Sequence, residues 1–188
     1  MLKTLIQIAR QGIRTEPRPE LGPDFQGLAS PLGNEILEVL GRSLAIREVD
    51  AGSCNACELE IHATNNLYYN LEGLGIKFVA SPRHADLLLV TGPVSRNMEE
   101  ALLRTYDAMP APKLVVAVGG CTVNGGIFGE SYASCGGVGK ILPVDQFVHG
   151  CPPAPIEILR GILSAVRLRY GSKAARVSPN DAASNDSI

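Results

Sequence analysis

The chain has 188 residues, of which 45% are apolar and 19% charged, with a formal net charge of −2. That length makes one domain with a sizeable core and irregular arms, and the missing basic excess excludes nucleic acid as a partner on charge grounds. The odd cysteine count (Cys54, Cys57, Cys121, Cys135, Cys151) and the lack of a secretory pattern predict a cytoplasmic, reducing setting, where thiols serve as ligands or catalysts rather than as disulfides.

In chain order, residues 1–9 alternate apolar positions with Lys3, followed by Arg10 and Arg14. This predicts a short amphipathic helix, too short and interrupted to span a bilayer, that docks on a partner or lies on a membrane surface. Residues 15–33 carry Pro17, Pro19, Pro23 and Pro31, a composition that predicts an extended docking arm. On this reading residues 1–43 form an amino-terminal helix and Pro-rich arm. Deleting residues 1–33 would then spare any metal site and weaken assembly. Asn34 is the expected cap of a short helix through Leu40.

From residue 44 to 170 strands and helices alternate. Strands are predicted at 44–49, 75–80, 86–91, 113–118 and 144–149, and helices at 56–72, 96–108 and 154–170. Short runs of Val, Ile and Leu separated by helices indicate a parallel sheet covered on both faces, hence an α/β, flavodoxin-like three-layer sandwich. Residues 171–188, rich in Ser, Asn, Asp and Ala, are expected to form a disordered tail.

Parallel sheets of this kind bind ligands beyond the carboxyl ends of their strands. Cys54 and Cys57 follow the first strand, Cys121 the fourth and Cys151 the fifth, so three remote segments deliver four thiols to one edge. Four thiolates arriving from loops suit a [4Fe–4S] cluster. Pro152 and Pro153 can open a helix whose positive end faces an anionic group. A redox dithiol would leave Cys121 and Cys151 idle, and structural zinc, the second choice, favours two close pairs. FMN is disfavoured because the loop that would cradle its phosphate holds Cys54 and Cys57. Cys135 lies off the strand-end pattern and is read as a buried or spare thiol, the alternative being that it replaces Cys121.

The segments CNACELEI (54–61), KFVASPRHADLLLVTGPV (77–94), GGCTVNGGIFGE (119–130) and KILPVDQFVHGCPPAP (140–155) resemble the small subunit of membrane-bound, energy-converting [NiFe] hydrogenases. The likeness is to the formate hydrogenlyase type, homologous to the 20 kDa subunit of respiratory complex I, and it covers residues 44–168. It implies that Cys54, Cys57, Cys121 and Cys151 hold one proximal [4Fe–4S] cluster. Glu58, Glu60, Arg83 and His84 would lie in the cluster environment or at the interface with the large subunit, with a proton-transfer role open to either glutamate. The cysteines here are separated by Asn55 and Ala56, as in hydrogenases, whereas the complex I branch has them adjacent.

The implied role is electron relay between a ferredoxin-like iron–sulfur subunit and the nickel–iron site of a large subunit related to the complex I 49 kDa subunit. Only one C-x-x-C pair is present, so this chain would not be the catalyst by itself. Membrane subunits would hold the assembly on the cytoplasmic face of the inner membrane. The alternatives are the 20 kDa-type subunit of a complex I-like quinone oxidoreductase, carrying its terminal [4Fe–4S] cluster, or a hydrogenase-related complex that has lost hydrogen chemistry.

Overall fold

The computed structural model describes residues 2–12, 20 and 22–174. Its centre is a five-stranded, wholly parallel sheet built from β1 (Leu44–Asp50), β2 (Ile76–Phe78), β3 (Leu87–Thr91), β5 (Leu114–Val118) and β7 (Gln146–Val148). The spatial order is β2-β1-β3-β5-β7. Counted among these five strands alone, that is 2-1-3-4-5, the order of flavodoxin-like sheets. The two central strands LLLVT and LVVAV are buried at every position, which is why they read as unbroken apolar runs.

Alternation along the strands divides the core in two. Ile46, Leu87, Leu89, Leu114 and Val116 face α2 (Pro23–Leu40), α3 (Ala56–Thr64) and α6 (Pro155–Ala174). Leu88, Val90, Val115 and Ala117 face α4 (Arg96–Ala108) and the segment around Val138 and Leu142. A small antiparallel pair, β4 (Val94–Ser95) with β6 (Ser134–Gly136), lies beside the main sheet. It carries Cys135, and its two- and three-residue strands are too short to show a period in sequence.

The amino-terminal region departs from expectation. The first helix is present as α1 (Leu2–Gln11), but residues 23–33 are helical rather than extended, and α2 runs without a break through Pro31. An interior proline costs about 3 kcal/mol. Against that, α2 buries Phe25, Leu28, Leu32 and Ile36 at helical spacing, each such side chain contributing about 1.5–3 kcal/mol, so burial wins. Phe25 also packs on Tyr68 and Tyr69. Because these residues belong to the same core as the sheet, the boundary drawn at residue 43 divides a single hydrophobic unit. Removing residues 1–33 would therefore excise core side chains.

The other differences are local. The predicted helix over 56–72 stops at Thr64, because Asn66 Oδ1 accepts the backbone N–H groups of Tyr68 and Tyr69 at 2.9 and 3.0 Å and turns the chain. The last helix extends to Ala174. The remainder of the expected tail and residues 13–19 and 21 of the expected arm lie outside the described residues. No helix among the described residues is long and apolar enough to cross a membrane.

Candidate metal centre

At the carboxyl edge of the sheet, β1 ends in Asp50, whose Oδ1 accepts the N–H groups of Gly52 and Ser53 at 2.8 and 2.7 Å. Ser53 Oγ in turn accepts Asn55 N–H at 3.0 Å. Asn55 adopts φ 71°, a left-handed conformation that asparagine tolerates better than most residues, and α3 starts directly after it with Cys57 in its first turn. The first thiol pair is thus presented by an Asp-anchored loop. Sequence reasoning missed the anchor, although an aspartate two residues before a glycine is a recognisable signal for such a turn.

Cys121 opens the four-residue helix α5 (Cys121–Asn124) after β5, and Cys151 follows β7. Their loops are tied together: Gly119 N–H donates to Val148 O at 2.8 Å, and Gly120 N–H to Gly150 O at 2.7 Å. Two glycines leave room for sulfur. A Cβ on Gly119 would stand 2.7 Å from Cys57 Sγ, and one on Gly126 would stand 2.8 Å from Cys121 Sγ. Both have positive φ, 101° and 56°, so the turns themselves also require glycine.

The four thiols act on one another. Burial pushes Cys57 up to about 12, with the Glu58 carboxylate and then Cys54, Cys121 and Cys151 adding to the shift. Burial also raises Cys121, followed by Cys151 and Cys54, with Cys151 as hydrogen-bond partner. Left without a metal, Cys57 and Cys121 would keep their protons, which a thiophilic metal group must displace on binding. Among the described residues, no three His, Cys, Asp or Glu side chains gather in a way that could hold a single ion. The donor set, four thiols from loops at one sheet edge with backbone amides nearby, fits the iron–sulfur group expected from the sequence.

Cys135 stands apart, buried on β6 with its Sγ donating to Glu99 Oε2 at 3.2 Å. Glu58 is buried on the first turn of α3, and Glu60, two residues on, is half-exposed. Arg83 and His84 are exposed on the turn Pro82–His84, which enters β3 at the end of the strand opposite the cysteine edge. The largest charged influences on Cys57 are Glu58 and the other thiols, and the structure gives Arg83 and His84 no contact with the cysteines.

Beside β1 and α3 opens a cavity of about 390 Å³, lined among others by Arg47, Glu48, Asp50, His62 and Phe78. Glu48 is half-buried there, and desolvation, with Glu58 next, raises its carboxyl above the ordinary value. On the thiol edge, Val123, Ile127, Phe128 and Tyr132 are exposed, Ile127 and Tyr132 almost completely. These apolar side chains follow Cys121 in the chain and form the kind of patch that partner subunits cover.

The chain is similar to formate hydrogenlyase subunit 7 of Escherichia coli (strain K12), 45% identical over 158 residues covering 79% of this chain and 62% of that one. It therefore spans less than two thirds of that relative's length. It is also similar to the probable membrane-bound hydrogenase subunit mbhJ of Pyrococcus furiosus, 40% identical over 152 residues covering 81% of this chain and 91% of the relative. Among solved structures it resembles a chain of an archaeal respiratory membrane complex, the membrane-bound sulfane sulfur reductase. The TM-score is 0.62 and the identity 33%, covering 77% of this chain and 78% of that one. With residues 54–165, from the first thiol to the last helix, matching the family described as NADH ubiquinone oxidoreductase, 20 Kd subunit, the chain belongs to that family of oxidoreductase-complex subunits.

Proposed function

We propose that the chain is the iron–sulfur electron-transfer subunit of a membrane-associated [NiFe] hydrogenase. In it Cys54, Cys57, Cys121 and Cys151 hold one [4Fe–4S] cluster. The observation that carries this reading is the convergence of four thiols from three remote loops, with Gly119 and Gly126 leaving the space their sulfurs occupy. When bound, the cluster supplies one-electron storage and transfer.

The chain's own residues hold and shield it. Asp50 fixes the first loop, and the Gly120–Gly150 hydrogen bond locks the second and third together. The exposed apolar residues after Cys121 form the surface on which a large subunit carrying the nickel–iron site would exclude water from the thiol edge. A ferredoxin-like iron–sulfur subunit is the partner proposed for the other side of the relay. Membrane subunits would hold the assembly on the cytoplasmic face of the inner membrane; two of the similar proteins are themselves described as parts of membrane-bound complexes.

The test is anaerobic purification of the complex, with iron, nickel and sulfide analysis and low-temperature EPR, for the wild type and Cys→Ser variants at all five positions. Loss of the signal at Cys54, Cys57, Cys121 and Cys151 with retention at Cys135 supports the ligand set. The reverse result for Cys121 and Cys135 would overturn it. The likeness to a sulfane sulfur reductase complex favours one second reading, a relative without hydrogen chemistry. A complex that contains the cluster but no nickel would establish that reading.

A further inference from the structure

The helix α1 stands outside the packed body of the fold. Every side chain described on it is exposed, Leu2, Leu5, Ile6 and Ile8 by 73, 62, 45 and 60%, and none belongs to either hydrophobic cluster. A ten-residue helix with nothing against it is marginal in water. It needs a covering surface, and its residue pattern says of which kind. At about 100° per residue, Leu2, Leu5, Ile6 and Ala9 fall within one arc of roughly 100°, and Ile8 widens the apolar side to roughly 160°. Lys3 and Arg10, two turns apart, come within about 20° of each other at one border of that arc, and Gln7 and Gln11 continue the polar side.

Charge is segregated too. Residues 1–15 hold three of the 17 cations, Lys3, Arg10 and Arg14, and none of the 19 carboxylates, so the acidic excess lies wholly in the rest of the chain. A helix seated in a protein seam usually shows a narrower stripe flanked by charges of both signs; α1 shows neither. Its stripe complements a surface that is apolar within and anionic at its face, where Lys and Arg stems run along the apolar side and keep their charged ends in water.

We propose that α1 lies in the plane of an anionic phospholipid surface, with Leu2, Leu5, Ile6 and Ile8 at the acyl boundary and Lys3 and Arg10 at the phosphate groups. This deepens the membrane-associated reading above and rests on it for the nature of the surface. The chain then touches lipid itself, in addition to being held by membrane subunits. Each cation near such a surface strengthens attachment about fivefold, so the pair contributes roughly 25-fold, and nothing on a neutral surface.

The test is co-flotation of the full chain, purified without oxygen, with vesicles of mixed phosphatidylglycerol and phosphatidylcholine or of phosphatidylcholine alone. The variants are Lys3→Gln/Arg10→Gln and Leu5→Gln/Ile8→Gln. All four side chains are exposed, so melting temperature and iron content should match the wild type. The wild type should bind the mixed vesicles and lose most of that binding in about 0.5 M salt. The charge variant should bind them roughly 25-fold more weakly and equal the wild type on phosphatidylcholine, while the apolar variant should bind neither. A wild type that ignores the mixed vesicles, or a charge variant that binds them equally well, overturns the proposal. So does a wild type that ignores vesicles while Leu5→Gln/Ile8→Gln no longer co-purifies with the other subunits, which would assign α1 to a protein groove. A complex that stays with the membrane fraction while the chain ignores vesicles removes only the role of α1. A complex found wholly in the soluble fraction removes the membrane-associated reading itself.

Discussion

The most direct perturbation of the thiol edge is a single methyl group at Gly119. Two effects add. The residue has φ 101°, where an L side chain costs about 1–2 kcal/mol, and the new Cβ would lie 2.7 Å from Cys57 Sγ. Non-bonded heavy atoms prefer about 3.5–4.0 Å, so the sulfur must retreat by about 1 Å, and overpacking of this kind adds about 1–3 kcal/mol. The sum, about 2–5 kcal/mol, is a tolerable loss for a domain of this size, but the displacement is not tolerable for a ligand. Metal–ligand bonds are held to within about 0.2 Å. Gly119→Ala is therefore expected to fold, melting roughly 5–15 °C lower, and to lose most of its iron and sulfide when the complex is purified without oxygen. Gly41→Ala is the control: Gly41 caps α2 at φ 62° with open space around its added Cβ, so it should show the strain without the loss of iron. A Gly119→Ala protein with full iron content and an unchanged EPR signal would refute the packing argument.

Other outcomes follow from the same contacts. Asp86, buried at the amino end of β3, accepts Arg42 Nη1 and Nη2 at 2.9 and 2.5 Å and the backbone N–H of Ala45 at 3.0 Å. Asp86→Ala strands that buried N–H and should cost about 2–3 kcal/mol, read as a fall in thermal midpoint of roughly 5–10 °C. Glu48 has its carboxyl raised above the ordinary value of 4.5 by burial first and Glu58 next. A raised carboxylate binds its proton more tightly in the folded state, so its stability contribution is full at acid pH and is lost as pH climbs from 4.5 through the folded value. Glu48→Gln should therefore match the wild type's melting temperature below that window and exceed it at neutral pH; a pH-independent difference would contradict the assignment. α1 leaves Leu2, Leu5 and Ile8 exposed, so deleting residues 2–12 should preserve thermal stability and cluster content while lowering recovery of the subunit with the membrane fraction. Deleting through residue 33 removes Phe25, Leu28 and Leu32 and should lower stability sharply in the same melting assay.

How much was legible in advance depended on whether a feature is local. The runs at 86–91 and 113–118 announce central strands because both of their faces are buried, and the helix over 96–108 was found at its observed limits. With those strands placed, the rule that ligands sit at carboxyl ends brings Cys54, Cys57, Cys121 and Cys151 to one edge before any coordinate is known. The helix through Pro31 was not legible, because local proline chemistry argued against it and only packing on α6 and the tyrosine pair overrides that preference. The end of α3 was missed for a different reason, a side-chain turn at Asn66 in a segment whose composition still looks helical.

The sequence by itself thus determined the alternation of strands and helices and the sheet edge at which the thiols collect, because both follow from periodicity and spacing along the backbone. Its motifs around the four cysteines carried the likeness to the family as well. Tertiary structure alone decided that α2 is part of the core, that Gly119 and Gly126 are spaces for sulfur, and that Glu58 is sealed from water while Glu60 is not. Burial and free volume are properties of what surrounds a residue, and those surroundings come from segments remote in the chain.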